Sequence, residues 1–363
     1  MSRISLIIGA DICPTKNNIH LFEDGDVESL VGVEILNILQ NVDFRIFNLE
    51  CPLIDEGEPI PKNGPNLRAK TATINGIKML NPSLLTLANN HTMDYGEHGL
   101  NSTIKCLQKN DIPFVGVDSN EFILEKNGIK IGIYVCAEHE FGIENFYFDP
   151  LETPDKIFEF KQKCNYVAVL YHGGKEHYRY PSPLLRKRFK KMAEKGANIV
   201  IAQHTHCIGC QEKYNNSTLV YGQGNFIFKK YKNEFWNSSL LIKIKATEND
   251  SSVDYIPISE NDDCKKVLID FETRSKQIQE IGFIENEYRK FASKYIDDYL
   301  LIAKGNSTLV RAIRKLFKKN IARHFYSKQR LLHLQNSLQC EAHSELFLSG
   351  LIEVLRKLLY KRN

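Results

Sequence analysis

Leu84-Leu85-Thr86-Leu87-Ala88-Asn89-Asn90-His91-Thr92-Met93-Asp94-Tyr95-Gly96 is the stretch on which the reading of this chain turns. An apolar run halts at two amides and an imidazole, with Asp94 three residues beyond His91. Polar groups at the end of a buried strand cost free energy unless something satisfies them. A metal ion is one good partner. The pattern recurs elsewhere, with apolar segments running out into Asp11, Glu50, His172 and His204-Thr205-His206. In open α/β sheets, ligands bind in the crevice beyond the strand C-termini. Five separate segments therefore aim acid, amide and imidazole groups at one edge.

Working outward, the strand candidates are Ile4–Ile8, Phe44–Leu49, Leu84–Leu87, Ile129–Cys136, Tyr166–Tyr171, Ile199–Ala202, Thr218–Tyr221 and Ser239–Ile244. Each is short, rich in β-branched or aromatic residues, and bounded by turn formers. Helical patterns lie between them at Gly99–Asn110 and Pro183–Lys195, the latter stopped by Gly196. Repeated strand–loop–helix units predict an α/β architecture over residues 1–258. After residue 259 the texture changes. Asp262–Ile281, Glu285–Lys304, Leu309–His324, Ser327–Cys340 and Ser344–Tyr360 read as helices, giving an all-helical C-terminal domain over 259–363.

The 363 residues suffice for one large domain and a smaller one, and 42% hydrophobic with 25% charged content is that of an ordinary globular protein. The net charge of +4 is uneven: residues 304–363 hold 13 Lys/Arg against 3 Glu, or +10, which leaves 4 − 10 = −6 for the rest. The nine scattered cysteines read as reduced thiols of a cytoplasmic protein. The opening apolar run Ile4–Gly9 is too short for a secretion signal and fits a first strand, and no segment approaches the roughly 20 apolar residues of a membrane span.

Asp11, Glu50, Asn90, His172, His204 and His206 form a mixed oxygen and nitrogen donor set, which suits Zn, Mn, Fe or Co better than Ca. A central carboxylate in such a set can bridge two ions. His204 and His206 share a face if their segment is extended. His91 is placed to donate a proton or hydrogen bond, and Asp94 to orient it. Plainer readings stand beside these. Single histidines such as His20, His139 and His343 read as surface or satisfied core residues. Cys207-Ile208-Gly209-Cys210 has no second Cys pair and reads as packing.

Taken in order, Gly9-Ala10-Asp11, Asn48-Leu49-Glu50-Cys51-Pro52-Leu53, Leu87–Gly96, Tyr171-His172-Gly173-Gly174-Lys175-Glu176, Gln203-His204-Thr205-His206 and Tyr221-Gly222-Gln223-Gly224-Asn225-Phe226 resemble the CapA family of poly-γ-glutamate capsule synthesis. That family is a branch of the calcineurin-like metallophosphoesterase superfamily. The resemblance covers residues 4–245 and implies a four-layer αββα sandwich with a metal centre at the strand ends. It implies metal roles for Asp11, Glu50, Asn90, His172, His204 and His206, and a proton-donor role for His91. Glu176 and Asn225, which fall within its motifs, are read as substrate contacts. The wider superfamily has Asp-x-His where this chain has Asp11-Ile12-Cys13, so that side of the site is weak, empty or aided by Cys13.

The expected function is that of a metal-dependent hydrolase using one or two divalent ions (Mn, Zn or Fe). Its substrate would be a small molecule or polymer with a phosphoester or related linkage in capsule or surface-polymer metabolism. The competing expectation is a non-hydrolytic accessory subunit of a polyglutamate or polysaccharide assembly complex. Leu309–His324 sets Leu309, Ile313, Leu316 and Phe317 against Arg311, Arg314, Lys315 and Lys318. Such a helix either meets an anionic membrane surface or partner, giving peripheral association, or packs on a domain with a solvated basic face. Nucleic acid is disfavoured, because no aromatic–basic interleaving lies near the site motifs.

Overall fold

The first strand explains the layering. In β1 (Ile4–Ile12), Ile4, Leu6 and Ile8 face one way and Ile7 the other, and all are buried. A strand buried on both faces lies inside a multilayer domain. The computed structural model describes residues 2–228, 236–260, 267–269, 288–294 and 338–360, with positions 332, 335 and 336. Two sheets stack in it. The first runs β14 (Val267–Ile269), β13 (Ser251–Glu260), β12 (Ser238–Ala246), β1, β2 (Phe44–Leu49), β3 (Leu84–Thr86) and β4 (Phe114–Val115), with β11 (Asn225–Ile227) paired to β1. The second runs β5 (Glu121–Lys126), β6 (Ile129–Ala137), β7 (Tyr166–His172), β8 (Ile199–Gln203), β10 (Ser217–Val220) and β9 (Gln211–Tyr214).

Ile4, Leu6, Ile8 and Ile242 of the first sheet meet Ile131, Ile133, Leu170 and Ile201 of the second in a central core. Helices α1 (Ile19–Asp24), α2 (Val27–Gln40), α3 (Ile74–Met79) and α4 (Gly96–Lys109) belong with the outer face of the first sheet, where Ile7, Phe47 and Leu85 pack with Phe22, Leu30, Ile77 and Leu107. On the second sheet, α5 (Glu152–Lys161) and α6 (Pro183–Glu194) pack Ile157, Phe160, Phe189 and Met192 on Val167, Val169 and Val200. The architecture is the expected αββα sandwich. Its parallel strands β1–β2–β3 and β6–β7–β8 end on the same edge as their sequence order implies.

Some expectations need correction. Asp11 does not lie beyond the end of its strand. β1 continues to Ile12, and an irregularity between Ile8 and Asp11 shifts its register so that Asp11 faces Asn48 on one side and Asn225 on the other. A bulge of this kind re-aims the side chains that follow it. Gly9 lies in that irregular stretch, where a Cβ would meet the Phe47 ring at 2.3 Å. The helix expected over Asp262–Ile281 is interrupted, because the β-branched and apolar Val267-Leu268-Ile269 pairs antiparallel with β13 and carries the first sheet beyond residue 258. Helical residues are found at 288–294 and in α7 (Glu341–Tyr360), which starts three residues before the expected Ser344. Leu309–His324 lies outside the described residues. No helix among the described residues is long and apolar enough to cross a membrane.

The helical part is docked on the sandwich. Tyr288, Ala292 and Leu346 form a small core, and Phe291 stacks on Tyr178 with ring centroids 3.9 Å apart. Glu345 of α7 accepts hydrogen bonds from Ser182 Oγ and from the Leu184 amide at 2.9 Å, at the first turn of α6.

Candidate metal centre

Asp11, Glu50, Asn90 and His172 come from the ends of β1, β2, β3 and β7, His204 and His206 both come from the loop after β8, and all six are buried. They form one cage. His172 Nε2 lies 2.9 Å from Asn90 Oδ1 and 3.4 Å from Glu50 Oε1. His206 Nε2 lies 3.9 Å from Glu50 Oε1, and its Nδ1 lies 3.8 Å from Asp11 Oδ2. The His204 ring centroid is 4.9 Å from that of His172 and 5.7 Å from that of His206. Both carboxylate oxygens of Glu50 and Nδ1 of His204 are buried without a hydrogen-bond partner. Polar atoms left so in a protein interior cost about 1–3 kcal/mol each, and more when charged. Among the described residues, Glu50, His204 and His206 each offer a ligand atom within 4.8 Å of the others, a group able to hold a metal ion.

Electrostatics give the same reading. Burial pushes the carboxyl groups of Asp11 and Glu50 well above their ordinary range, and the charge of Glu50 adds to the rise at Asp11. Burial pulls His172 and His204 down to about 4 and His206 to about 3. The imidazoles are thus neutral near pH 7, the form in which they bind metal. A cation among them would reverse the shifts of the two carboxyl groups. The donor set fits a divalent ion.

The loops hold these side chains by specific means. Asn48 donates to Asp11 Oδ1 at 2.8 Å, and its Oδ1 accepts from Asn89 at 3.0 Å. The Asn89 Oδ1 in turn accepts from the backbone N–H of His91 and of Thr92, each at 3.0 Å. The first amide of the Asn-Asn-His stretch therefore sets the turn that presents the next two residues. His204 and His206 do not sit in an extended segment. Their φ angles are +77° and +53°, left-handed values that non-glycine residues adopt at a cost. The rings converge through this strained loop after β8 rather than by strand alternation.

His91 Nδ1 lies 2.7 Å from Asp94 Oδ2, a contact that holds the imidazole. Lys62, buried and unread in the sequence, forms an ion pair with Asp94 and lies 3.1 Å from His91 Nδ1. Glu176 Oε1 stands 4.0 Å from His204 Nε2 at the rim. Asn225 Oδ1 lies 2.7 Å from His206 Nδ1, so this residue holds a cage imidazole, and its Nδ2 is left without a partner. Cys13 is buried beside Cys51. A hydrogen bond with Cys51, together with burial, pushes the Cys13 thiol up, which keeps it protonated. Cys207 and Cys210 are buried free thiols, both pushed up to about 12 by burial.

Glu140 was also missed. It follows β6, with Oε2 3.3 Å from His204 Nε2 and 3.4 Å from Asn90 Nδ2. The signal was available: Glu138-His139-Glu140 ends a strand legible in the sequence, in the same way as the other site residues.

Residues 6–230 match the family model described as bacterial capsule synthesis protein PGA_cap. The chain is 26% identical over 246 residues to "Capsule biosynthesis protein CapA" of Bacillus anthracis, covering 61% of this chain and 59% of that protein. It is 28% identical over 178 residues to "PGA biosynthesis protein CapA" of Bacillus subtilis (strain 168), covering 45% of this chain and 47% of that one. The chain thus spans about half to three fifths of the length of these curated relatives. A solved structure described as a novel phosphatase of Mycoplasma pneumoniae aligns with 72% of this chain and 95% of its own, at 13% identity and a TM-score of 0.47.

Proposed function

The chain belongs to the bacterial capsule synthesis protein PGA_cap family, and from that premise we propose that it is a metal-dependent hydrolase of a phosphoester or related linkage in surface-polymer metabolism. One observation carries the reading: both oxygens of Glu50 are buried and unpartnered between His172 and His206. Asp11, Glu50, Asn90, His172, His204 and His206 would hold one or two divalent ions of the Mn, Zn or Fe type. When bound, such an ion supplies Lewis acidity to a phosphoryl oxygen and lowers the pKa of a water.

The chain's own residues do the rest. His91, with Nδ1 held by Asp94, turns Nε2 to the substrate and donates a proton to the leaving oxygen. Lys62 neutralises Asp94 and fixes the pair. Glu176 at the rim orients a polar substrate group, and Asn225 keeps His206 in place. Metal analysis of the purified full chain, followed by a panel of phosphomonoesters and phosphodiesters, tests this. Bound metal with turnover is expected; a protein with neither overturns it.

A second reading, an accessory subunit of a polyglutamate or polysaccharide assembly complex, is favoured by one feature. The first motif has Cys13 in place of an imidazole, and that thiol sits with Cys51. Bound metal without turnover, together with stable capture of a polymer synthase, would support it over hydrolysis.

A further inference from the structure

A second group of metal-capable side chains lies beside the cage, and two of its three members come from the C-terminal part of the chain. Glu140, Cys340 and His343 each offer one ligand atom, and these atoms lie within 4.8 Å of one another. We propose that they form a separate site for a thiophilic divalent ion of the zinc class, pinning the start of α7 over the rim of the cage.

The two oxygens of Glu140 divide between neighbours. Oε2 faces His204 and Asn90 of the cage. Oε1 faces the C-terminal part, 3.9 Å from His343 Nε2 and 3.1 Å from Asn336 Nδ2. The Nδ1 of His343 is buried without a hydrogen-bond partner. Cys340 is 1% exposed, and its sulfur meets the His343 backbone N–H and, at 3.9 Å, Glu138 Oε2. Thiolate, imidazole and carboxylate together are a zinc-class donor set, with bonds of about 2.3 Å to sulfur and about 2.0–2.2 Å to nitrogen or oxygen. Donor atoms so bonded in a tetrahedron lie roughly 3.3–3.7 Å apart. Donor atoms that lie within 4.8 Å of one another reach that geometry by closing at most about 1.5 Å.

Surrounding contacts hold the cluster together. The Ala342 N–H donates to Glu138 Oε2 at 3.3 Å, and the His139 N–H donates to Glu341 Oε2 at 2.8 Å. The strand end that carries Glu140 is thus tied on both sides to the first turn of α7. The three ligands come from segments 200 residues apart, so an ion here would link the sandwich to the C-terminal helix.

Cobalt(II) loading of the full chain tests the site without using turnover, so the outcome is independent of the hydrolase reading. The wild-type protein is expected to show a thiolate-to-cobalt charge-transfer band in the near ultraviolet. Cys340→Ser should abolish the band and lower the bound metal by one ion per chain. Cys13→Ser, which removes the buried thiol two residues after Asp11, should keep it. His343→Ala should move the titration midpoint of the band to higher cobalt. Far-ultraviolet circular dichroism checks the fold of each variant, and if Cys340→Ser misfolds, the His343→Ala shift decides. A wild-type protein without the band, a band that survives in folded Cys340→Ser, or an unmoved midpoint in His343→Ala overturns the site and leaves Cys340 as a packing residue.

Discussion

The strand-end cage and the α7 seam use similar side chains and are built in opposite ways. The cage takes Asp11 and His172 from the last residues of β1 and β7, and Glu50, Asn90, His204 and His206 from the loops that follow β2, β3 and β8. The seam takes Glu140 from one such loop and Cys340 and His343 from the far end of the chain. In the cage, the sheet register fixes the donors before any ion is present, since β1, β2, β7 and β8 are paired along their lengths. In the seam, the donors depend on the docking of a helix through Leu346, Glu341 and Glu345. A preorganised cage suits chemistry, where small displacements cost rate. A seam that needs docking suits attachment, because its ligand can only bind when both parts are in place.

The largest effect should separate the cage from everything else. His91→Ala is expected to lower kcat/KM on a hydrolysable phosphoester by about 10²–10⁴-fold, with bound metal unchanged, because His91 borders the cage and its Nδ1 is spent on Asp94. Steady-state kinetics beside metal analysis checks this. An equal loss of metal would make His91 part of the cage rather than the proton donor.

Removing the ion comes next. An ion held at 100–1,000 times its Kd stabilises the fold by about 3–4 kcal/mol. Chelation should therefore lower Tm by several degrees, and added metal should restore it. Glu50→Gln should abolish that response, since it removes the carboxyl group whose oxygens the cage leaves without hydrogen-bond partners and which a bound ion would ionise. A Glu50→Gln protein that still responds fully would place the stabilising ion in the seam.

Asp94→Asn should be milder. Asp94 acts through His91, and partners of that kind cost roughly 10–100-fold when altered. Because the amide leaves Lys62 as an unpaired buried cation beside His91, the pH profile of kcat should shift as well as its height. A uniform fall without a shift would mean that Asp94 serves only the loop, where it also accepts from the Leu67 amide.

The two regions also differ in how much the sequence discloses. Asn90, His172 and His204 are legible because each interrupts an apolar run at a point where a strand must end. Glu140 obeys the same rule but sits among Glu138, His139 and Glu144, where acidic residues suggest an ordinary loop. Lys62 lies in a long connection between β2 and α3 that has no periodicity, and nothing local reports that it is buried. His343 reads as a surface or satisfied core histidine between two expected helices, since its meeting with Glu140 depends on contacts across 200 residues of chain. Helix α2 goes unread because Gly32, at φ 76° and ψ 158°, breaks it into two short pieces. Local pattern thus shows the cage, and only docking shows the seam.

The smallest expected effect asks whether α6 carries the seam. Its first turn meets Glu345 of α7, while farther along Arg186 and Lys190 clamp Glu212 of β9 at 2.8–2.9 Å. Burial pushes Glu212 up, but hydrogen bonds from Arg186 and Lys190 outweigh it and bring its carboxyl down to about 2. A carboxylate depressed on folding contributes stability above its unfolded pKa of about 4.3. That contribution is lost as pH falls toward 2. Glu212→Gln should cost about 1 kcal/mol near neutral pH and flatten the dependence of stability on pH below about 4.3, as denaturant titrations would show. The metal content of the cage is expected not to change. If the cobalt band at Cys340 weakens in the same variant, the seam depends on how α6 is held against β9, and its three ligands are not a self-sufficient unit. If the band is unchanged, the first turn of α7 and the Glu138–Glu140 strand end are enough to set the ligand geometry.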